Sequence, residues 1–508
     1  MFVIMSFVKK IQLFQRYLRF ACFALLPLLA GCASHAVLIV KHNDHENIPY
    51  QAKCISKKIN KQTIADALKK HIVDIDKQGQ FSPIKFSINC PPDTLLEEKQ
   101  ESKIEKLVEH IISNLETENF QELLIYIHGG LVTREAGIES AVELTHAVLG
   151  EKNNVYPVSI VWRSGGWESY IDQLFNVRNG KVDQPLAIAT SPFKLGSDLG
   201  RGFMDTPYAG GLEAHRLFLS LRNQLNDCLD VNGNNKETVI CPEPQDFSAL
   251  DKASDVLDTA RYLLMTPVRI GTAPFVNGLG RSGYENMIRR TREAFLRDTY
   301  LPSEIDGHKG AVYLFFEELQ KRITAQKPNV TITLIGHSMG TMLVNEIIRQ
   351  FPDLPYKHVV FMGAAVSIRD FQNVVVPRLS NQETFRFYNL SLLPVAETRE
   401  MNDSFNAIPS GSLLEWIDDM LTSPPALADR TLGKWANTRD VMLIFPEEAR
   451  KNMTIRVFGE RKGQPQEHGQ FNDIKRCFWR ESFWTARDGL EWDEHYKKCS
   501  DFLEKNLF

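Results

Sequence analysis

No long block of basic residues occurs in this 508-residue chain, and its formal net charge is only −4. A nucleic-acid partner is therefore not expected, because such proteins gather Lys and Arg to neutralise phosphate. No two of the eight cysteines stand in C-x-x-C spacing, which argues against the common zinc and thiol-redox motifs. A calcium loop is missing as well. Asp230-Val231-Asn232-Gly233-Asn234 begins like an EF-hand, but Asn235 and Cys241 stand where glycine and glutamate belong. His42, Asp44, His45 and Glu46 crowd together after a strand without a supporting partner, and read as a solvated turn. No metal and no cofactor is expected. Neither an internal repeat nor a low-complexity tract stands out.

The apolar run Phe20 to Ala30 is too short for a membrane-spanning helix, which needs roughly 20 apolar residues. Behind Lys9, Lys10, Arg16 and Arg19 it reads as a secretory signal over residues 1–31, with Met1 or Met5 as the start. Its ending, Leu29-Ala30-Gly31-Cys32, resembles the lipobox of bacterial lipoproteins. That resemblance implies cleavage before Cys32 and acylation of its thiol and new amine. It places the mature protein in the bacterial envelope. Ala33 in place of Asp favours the outer membrane, facing the periplasm. Cysteine usage fits export. Beyond Cys22 and Cys32 six remain, a number that can pair completely in an oxidising compartment. Pairing neighbours in sequence gives Cys54–Cys90, Cys228–Cys241 and Cys477–Cys499.

Hydrophobic residues at 43% and charged residues at 24% suit a folded, soluble domain. Residues 32–118 read as an N-terminal lead-in, with a strand at Ala36–Val40 and a helix at Ile104–Leu115. From residue 119 strands and helices alternate. Strands are expected at Leu123–Ile127, Val158–Trp162, Thr331–Ile335, Val359–Met362, Phe385–Tyr388 and Met453–Phe458. Helices are expected at 135–149, 310–325 and 339–350. This alternation implies an α/β fold: a mostly parallel central sheet with helices on both faces. One long interruption, about 165–308, reads as a large helical cap insertion, with helical segments near 212–225, 250–265 and 284–298. One catalytic domain, 119–508, accounts for the length better than three.

Three short motifs carry chemistry. Gly336-His337-Ser338-Met339-Gly340 follows an apolar strand and opens a helix, the setting of a nucleophile on a strained turn. His128-Gly129-Gly130-Leu131 follows another strand, where glycine lets the backbone approach a developing oxyanion. His468-Gly469 comes after the last strand, in the chain position of a catalytic base.

Together these motifs resemble the esterase and lipase branches of the α/β-hydrolase superfamily, over about residues 120–475. The resemblance implies Ser338 as nucleophile and His468 as base. It implies an oxyanion hole from the N–H of Met339 and that of Gly130 or its neighbour Gly129. The triad acid stays open between Glu397, Asp403 and Asp370, with Glu397 preferred because it follows its strand within a few residues. The expected activity is hydrolysis of ester-type substrates, small molecules or lipids, through an acyl-enzyme. A peptidase on the same fold and a non-catalytic envelope protein are the rival readings.

Overall fold

The computed structural model describes residues 70–82, 100–118, 120–205, 211–212, 238–242, 249–296, 309–326, 329–381, 384–400, 408–459 and 461–506. The signal segment 1–31, Cys32, the strand expected at Ala36–Val40 and Asp403 lie outside them.

Apolar, β-branched runs form the sheet. Its strands are β1 (Ile72–Asp74), β2 (Glu122–Ile127), β3 (Val155–Val161), β4 (Val239–Ile240), β5 (Thr331–His337), β6 (Tyr356–Met362), β7 (Arg386–Leu392) and β8 (Met453–Phe458). They lie in the order β1-β3-β2-β5-β6-β7-β8-β4, and every pairing is parallel. A parallel sheet is buried on both faces, so its strands read as continuous apolar runs. β2 shows this: Leu123, Ile125 and Ile127 enter one hydrophobic cluster, while Leu124 and Tyr126 enter the other.

Helices cover both faces. Helix α1 (Gln100–Thr117) packs Leu107, Val108 and Ile111 into the first cluster. Helix α2 (Arg134–Gly150), capped by the Thr133 side chain on Ala136 N–H, sends Leu144, Ala147 and Val148 into the second. Two elements of the lead-in, β1 and α1, thus belong to this core.

The interruption differs from a purely helical insertion. Helices α3 (Gly166–Phe175), α4 (Gln184–Met204) and α5 (Ala249–Glu293) build most of its described part. Its strand β4 nevertheless joins the main sheet beside β8, pairing Val239 with Ile455. The segments expected near 250–265 and 284–298 are one helix, α5, which runs through Pro267 and Pro274. Packing against α4 overrides the local preference for a break there. A Cβ at Gly202 would lie 1.9 Å from Pro274 O, and one at Gly278 would lie 2.3 Å from Asp198 O, so glycine is what lets the two backbones touch. Helix α6 (Ala311–Gln326) then returns the chain to β5, and α7 (Gly340–Gln350) follows β5.

The chain builds β3 on one side of β2, then crosses to add β5, β6, β7 and β8 on the other. The gap between the carboxyl ends of β2 and β5 is therefore a topological switch point, where open α/β sheets form their crevices. The cysteine pair Cys477–Cys499 is a disulfide, with Cα atoms 5.8 Å apart. Cys54, Cys90 and Cys228 lie outside the described residues.

Candidate active site

The switch point holds the two glycine motifs. Ser338 follows β5 at φ +52°, a left-handed backbone that costs strain in any residue with a side chain. Its neighbours permit this turn. A Cβ at Gly336 would fall 3.0 Å from Thr341 N, and one at Gly340 would fall 2.4 Å from Ile127 O. Only glycine at both places lets α7 start so close to β2.

Hydrogen bonds fix the peptide after Ser338. Its carbonyl accepts from Thr341 N–H at 3.1 Å, Thr341 Oγ1 at 2.6 Å and Ala365 N–H at 3.2 Å. In a trans peptide the N–H points opposite to the carbonyl. The Met339 N–H is thereby turned away from those three donors.

The same device operates on the His128 loop. Trp162 N–H donates to His128 Nε2 at 3.2 Å, so Nδ1 carries the proton and donates to Gly129 O at 2.8 Å. Ser164 Oγ donates to the same carbonyl at 3.0 Å. Gly130 N–H is aimed the other way. The loop lies against the elbow: a Cβ at Gly129 would come 2.8 Å from Ser338 Cβ, and one at Gly130 2.6 Å from Met339 Sδ. Burial lowers the His128 ring to a pKa of about 4, so it stays neutral and structural.

His468 begins a short turn beyond β8 and is buried. Its backbone is held at both ends. Its N–H donates to Glu400 Oε2 at 2.8 Å, and its carbonyl accepts from His337 Nε2 at 3.0 Å. The ring lies over Gly363, whose absent Cβ would meet its Cε1 at 2.7 Å and its Nδ1 at 2.8 Å. Gly363 follows Met362, the residue whose carbonyl accepts Ser338 N–H at 2.8 Å. Ser338 and His468 are thus brought to one edge of the sheet. Burial, then the nearby His337 ring, hold the His468 pKa well below its ordinary 6.5, which leaves the neutral, proton-accepting form. Ser338 Oγ and both His468 ring nitrogens are buried without a hydrogen-bond partner.

The acid candidates separate by position. Glu397, on α9 (Pro394–Arg399) after β7, is 1% exposed and accepts from Ser412 Oγ through Oε2. Its Oε1 has no partner. Burial pushes its pKa up to about 8. Asp370, in the first turn of α8 (Ile368–Val374), is 55% exposed and paired with Arg349. It sits on the outer surface. Glu400 was not foreseen, although it stands three residues beyond Glu397 and ties directly to the His468 backbone. Burial raises its pKa to about 7. Neither glutamate makes a hydrogen bond to the His468 ring.

The long interruption after β3 begins beside this site. Leu131, at φ +63°, follows Gly130, and a Cβ on Gly166 at the start of α3 would meet its Cδ2 at 2.5 Å. A cavity of about 600 Å³ lined by Glu122, His358 and Trp479 lies at the opposite, amino-terminal end of the strands, away from Ser338. Among the described residues no three His, Cys, Asp or Glu side chains cluster as metal ligands would. No family model, curated protein or solved structure matches the chain.

Proposed function

We propose that the protein is a serine hydrolase of ester-type substrates with an α/β-hydrolase fold, carried on a lipid anchor in the bacterial envelope. One observation carries the reading. Ser338 holds a buried, unpartnered hydroxyl on a strained left-handed turn, packed against Gly129. Flanking carbonyls are pinned so that the Met339 and Gly130 N–H groups are aimed elsewhere. A plain structural turn has no need for either feature. The order of nucleophile after β5, carboxylates after β7 and histidine after β8 supports the same reading.

In the proposed reaction His468 takes the Ser338 hydroxyl proton as Oγ attacks the ester carbonyl. The two N–H groups hold the oxyanion, and the proton passes to the departing alcohol. Water, deprotonated by His468, then attacks the acyl-enzyme and releases the acid. Helices α3 to α5 serve as the cap. Proton transfer needs the histidine nitrogen within about 3.2 Å of Oγ, a contact that often tightens only when substrate is bound. No cofactor enters this chemistry.

A fluorophosphonate probe tests the proposal. Wild-type protein should be labelled and should hydrolyse soluble p-nitrophenyl esters, and Ser338→Ala should do neither while staying folded. Labelling that persists in Ser338→Ala removes Ser338 as nucleophile. Cleavage of peptides but not esters shifts the class to peptidase, and a folded wild type that does neither is a non-catalytic relative of the fold. Cys32→Ser should leave the membrane fraction; if it stays, the anchor reading fails.

A further inference from the structure

The chain between β7 and β8 brings a buried cation beside the Ser338 site. Leu432 and Gly433 run along the turn that follows β6. Leu432 N–H donates to Val366 O at 2.9 Å, and Gly433 N–H donates to Ala364 O at 2.8 Å. A Cβ on Gly433 would lie 2.0 Å from Ala364 N and 2.5 Å from Gly363 C, so glycine is what lets these backbones touch. The same turn serves the site, because the His468 ring lies over Gly363 and Ala365 N–H binds Ser338 O. Lys434 comes next and is buried. Its Nζ lies 2.7 Å from Glu415 Oε1 and 3.9 Å from both Asp418 Oδ2 and Asp419 Oδ2. Burial opposes this charge, but the three carboxylates outweigh it and hold the lysine pKa above its ordinary 10.5. A buried ion pair of this kind adds little stability over apolar side chains of the same volume. Its neighbours give it another use.

Glu415 and the candidate acid Glu397 share one support, Ser412. Ser412 caps the short helical turn Leu413–Trp416, where its Oγ accepts from Glu415 N–H at 3.4 Å. The same Oγ donates to Glu397 Oε2, and Ser412 N–H donates to Glu397 O at 2.8 Å. The charged groups facing Glu397 come from three places: Glu400 just beyond α9, Glu415 on the capped turn, and Lys434. Behind Lys434 stand Asp418, itself faced by Tyr284 of α5, and Asp419. Of the charges facing Glu397, Glu400 and Glu415 oppose an ionised carboxyl and Lys434 favours it. We infer that Lys434 is a positioning residue for the triad acid. With Glu415 it fixes the turn that carries Glu397, and it supplies the positive charge against which that carboxyl ionises. This inference rests on the catalytic reading, with Glu397 as the acid.

The pH profile of kcat/KM on a soluble ester tests it. That ratio reports ionisations of the free enzyme, so it should rise as Glu397 loses its proton, near the value of about 8 to which burial raises it. Lys434→Met removes a cation. The rise should move up by about one pH unit, with rates below it falling about tenfold. Glu415→Gln breaks the same ion pair but removes an anion, so its rise should move down. A purely structural pair would cost stability in both variants and leave both profiles in place. Lys434→Arg keeps the charge and should restore the wild-type profile. In a Glu397→Gln background, Lys434→Met should shift nothing further. Circular dichroism checks folding at each pH; if Lys434→Met does not fold, the direction of the Glu415→Gln shift decides. Three results overturn the inference and leave Ser338 in place: a wild-type profile flat between about pH 6 and 9, an unmoved profile in folded Glu415→Gln, or shifts of the same sign in both variants. A folded wild type that hydrolyses no ester overturns it together with the catalytic reading.

Discussion

Replacing Gly363 with alanine tests the role of His468 without touching His468. Gly363 has φ +53°, and the His468 ring fills the space where a Cβ would stand, 2.7 Å from Cε1 and 2.8 Å from Nδ1. Non-bonded carbons settle about 3.5–4.0 Å apart, so one of the two must retreat by most of an ångström. Gly363 is poorly placed to do so. Its N–H is bonded to Leu390 O at 2.9 Å, and the preceding Met362 O holds Ser338 N–H at 2.8 Å. The ring has no such restraint, because neither nitrogen has a partner. Alanine therefore acts twice. A Cβ in the left-handed region costs about 1–2 kcal/mol, roughly a tenfold fall in the ratio of folded to unfolded protein. The displaced ring loses its position, and a shift of about 1 Å at a catalytic group costs on the order of 100-fold in rate. Denaturant titration reads the first effect, and initial rates on a soluble ester read the second. Turnover in Gly363→Ala should fall by about 100-fold in protein that remains folded. The double variant Gly363→Ala/His468→Ala should be no slower than His468→Ala alone, because both changes remove one function. A folded Gly363→Ala with wild-type turnover would refute the base assignment.

The two buried glutamates should shape the pH dependence of stability. Burial raises Glu397 to about 8 and Glu400 to about 7 from the ordinary 4.5, so the folded protein keeps protons that the unfolded chain releases. Their contribution to stability should fall as pH rises from about 4.5 to about 8, and Glu397→Gln or Glu400→Gln should flatten that slope in denaturation midpoints. On turnover, the larger loss among Glu397→Gln, Glu400→Gln, Asp403→Asn and Asp370→Asn identifies the acid; Asp370→Asn should be silent because that side chain pairs with Arg349 on the surface. The Cys477–Cys499 bridge spans 22 residues, and chain entropy assigns such a loop about 3 kcal/mol. Cys477→Ser/Cys499→Ser should lower unfolding stability by that order, and a loss under about 0.5 kcal/mol would mean that the segment beyond His468 holds without it.

What could be read from the sequence follows its physical signals. Strands β2, β5 and β6 hold apolar runs closed by glycine or polar turns, and burial on both faces gives them no competing pattern. Strands β1 and β4, three and two residues long, are too short to show a period. They sit at the sheet edges and are defined by pairing partners far along the chain. Helix α5 was obscured by Pro267 and Pro274, because the contact that sustains it comes from α4, and sequence pattern does not show which backbones touch. The site divides in the same way. Ser338 and the Gly129–Gly130 loop could be found because glycine is demanded locally, wherever a backbone must approach another within van der Waals contact. The acid could not be found this way. A carboxylate may follow β7 at several positions, and what distinguishes Glu400 is a 2.8 Å bond to a backbone N–H 68 residues away. That bond orients the chain at His468 but leaves both ring nitrogens without partners. A triad closed by Glu397, whose Oε1 is also unpaired, therefore requires a carboxyl and a ring to move together. In such a triad the charge on the forming imidazolium would lower the pKa of a carboxyl that burial raises to about 8, so that its proton leaves to solvent and the carboxylate faces the ring; no signal in the free sequence encodes that motion.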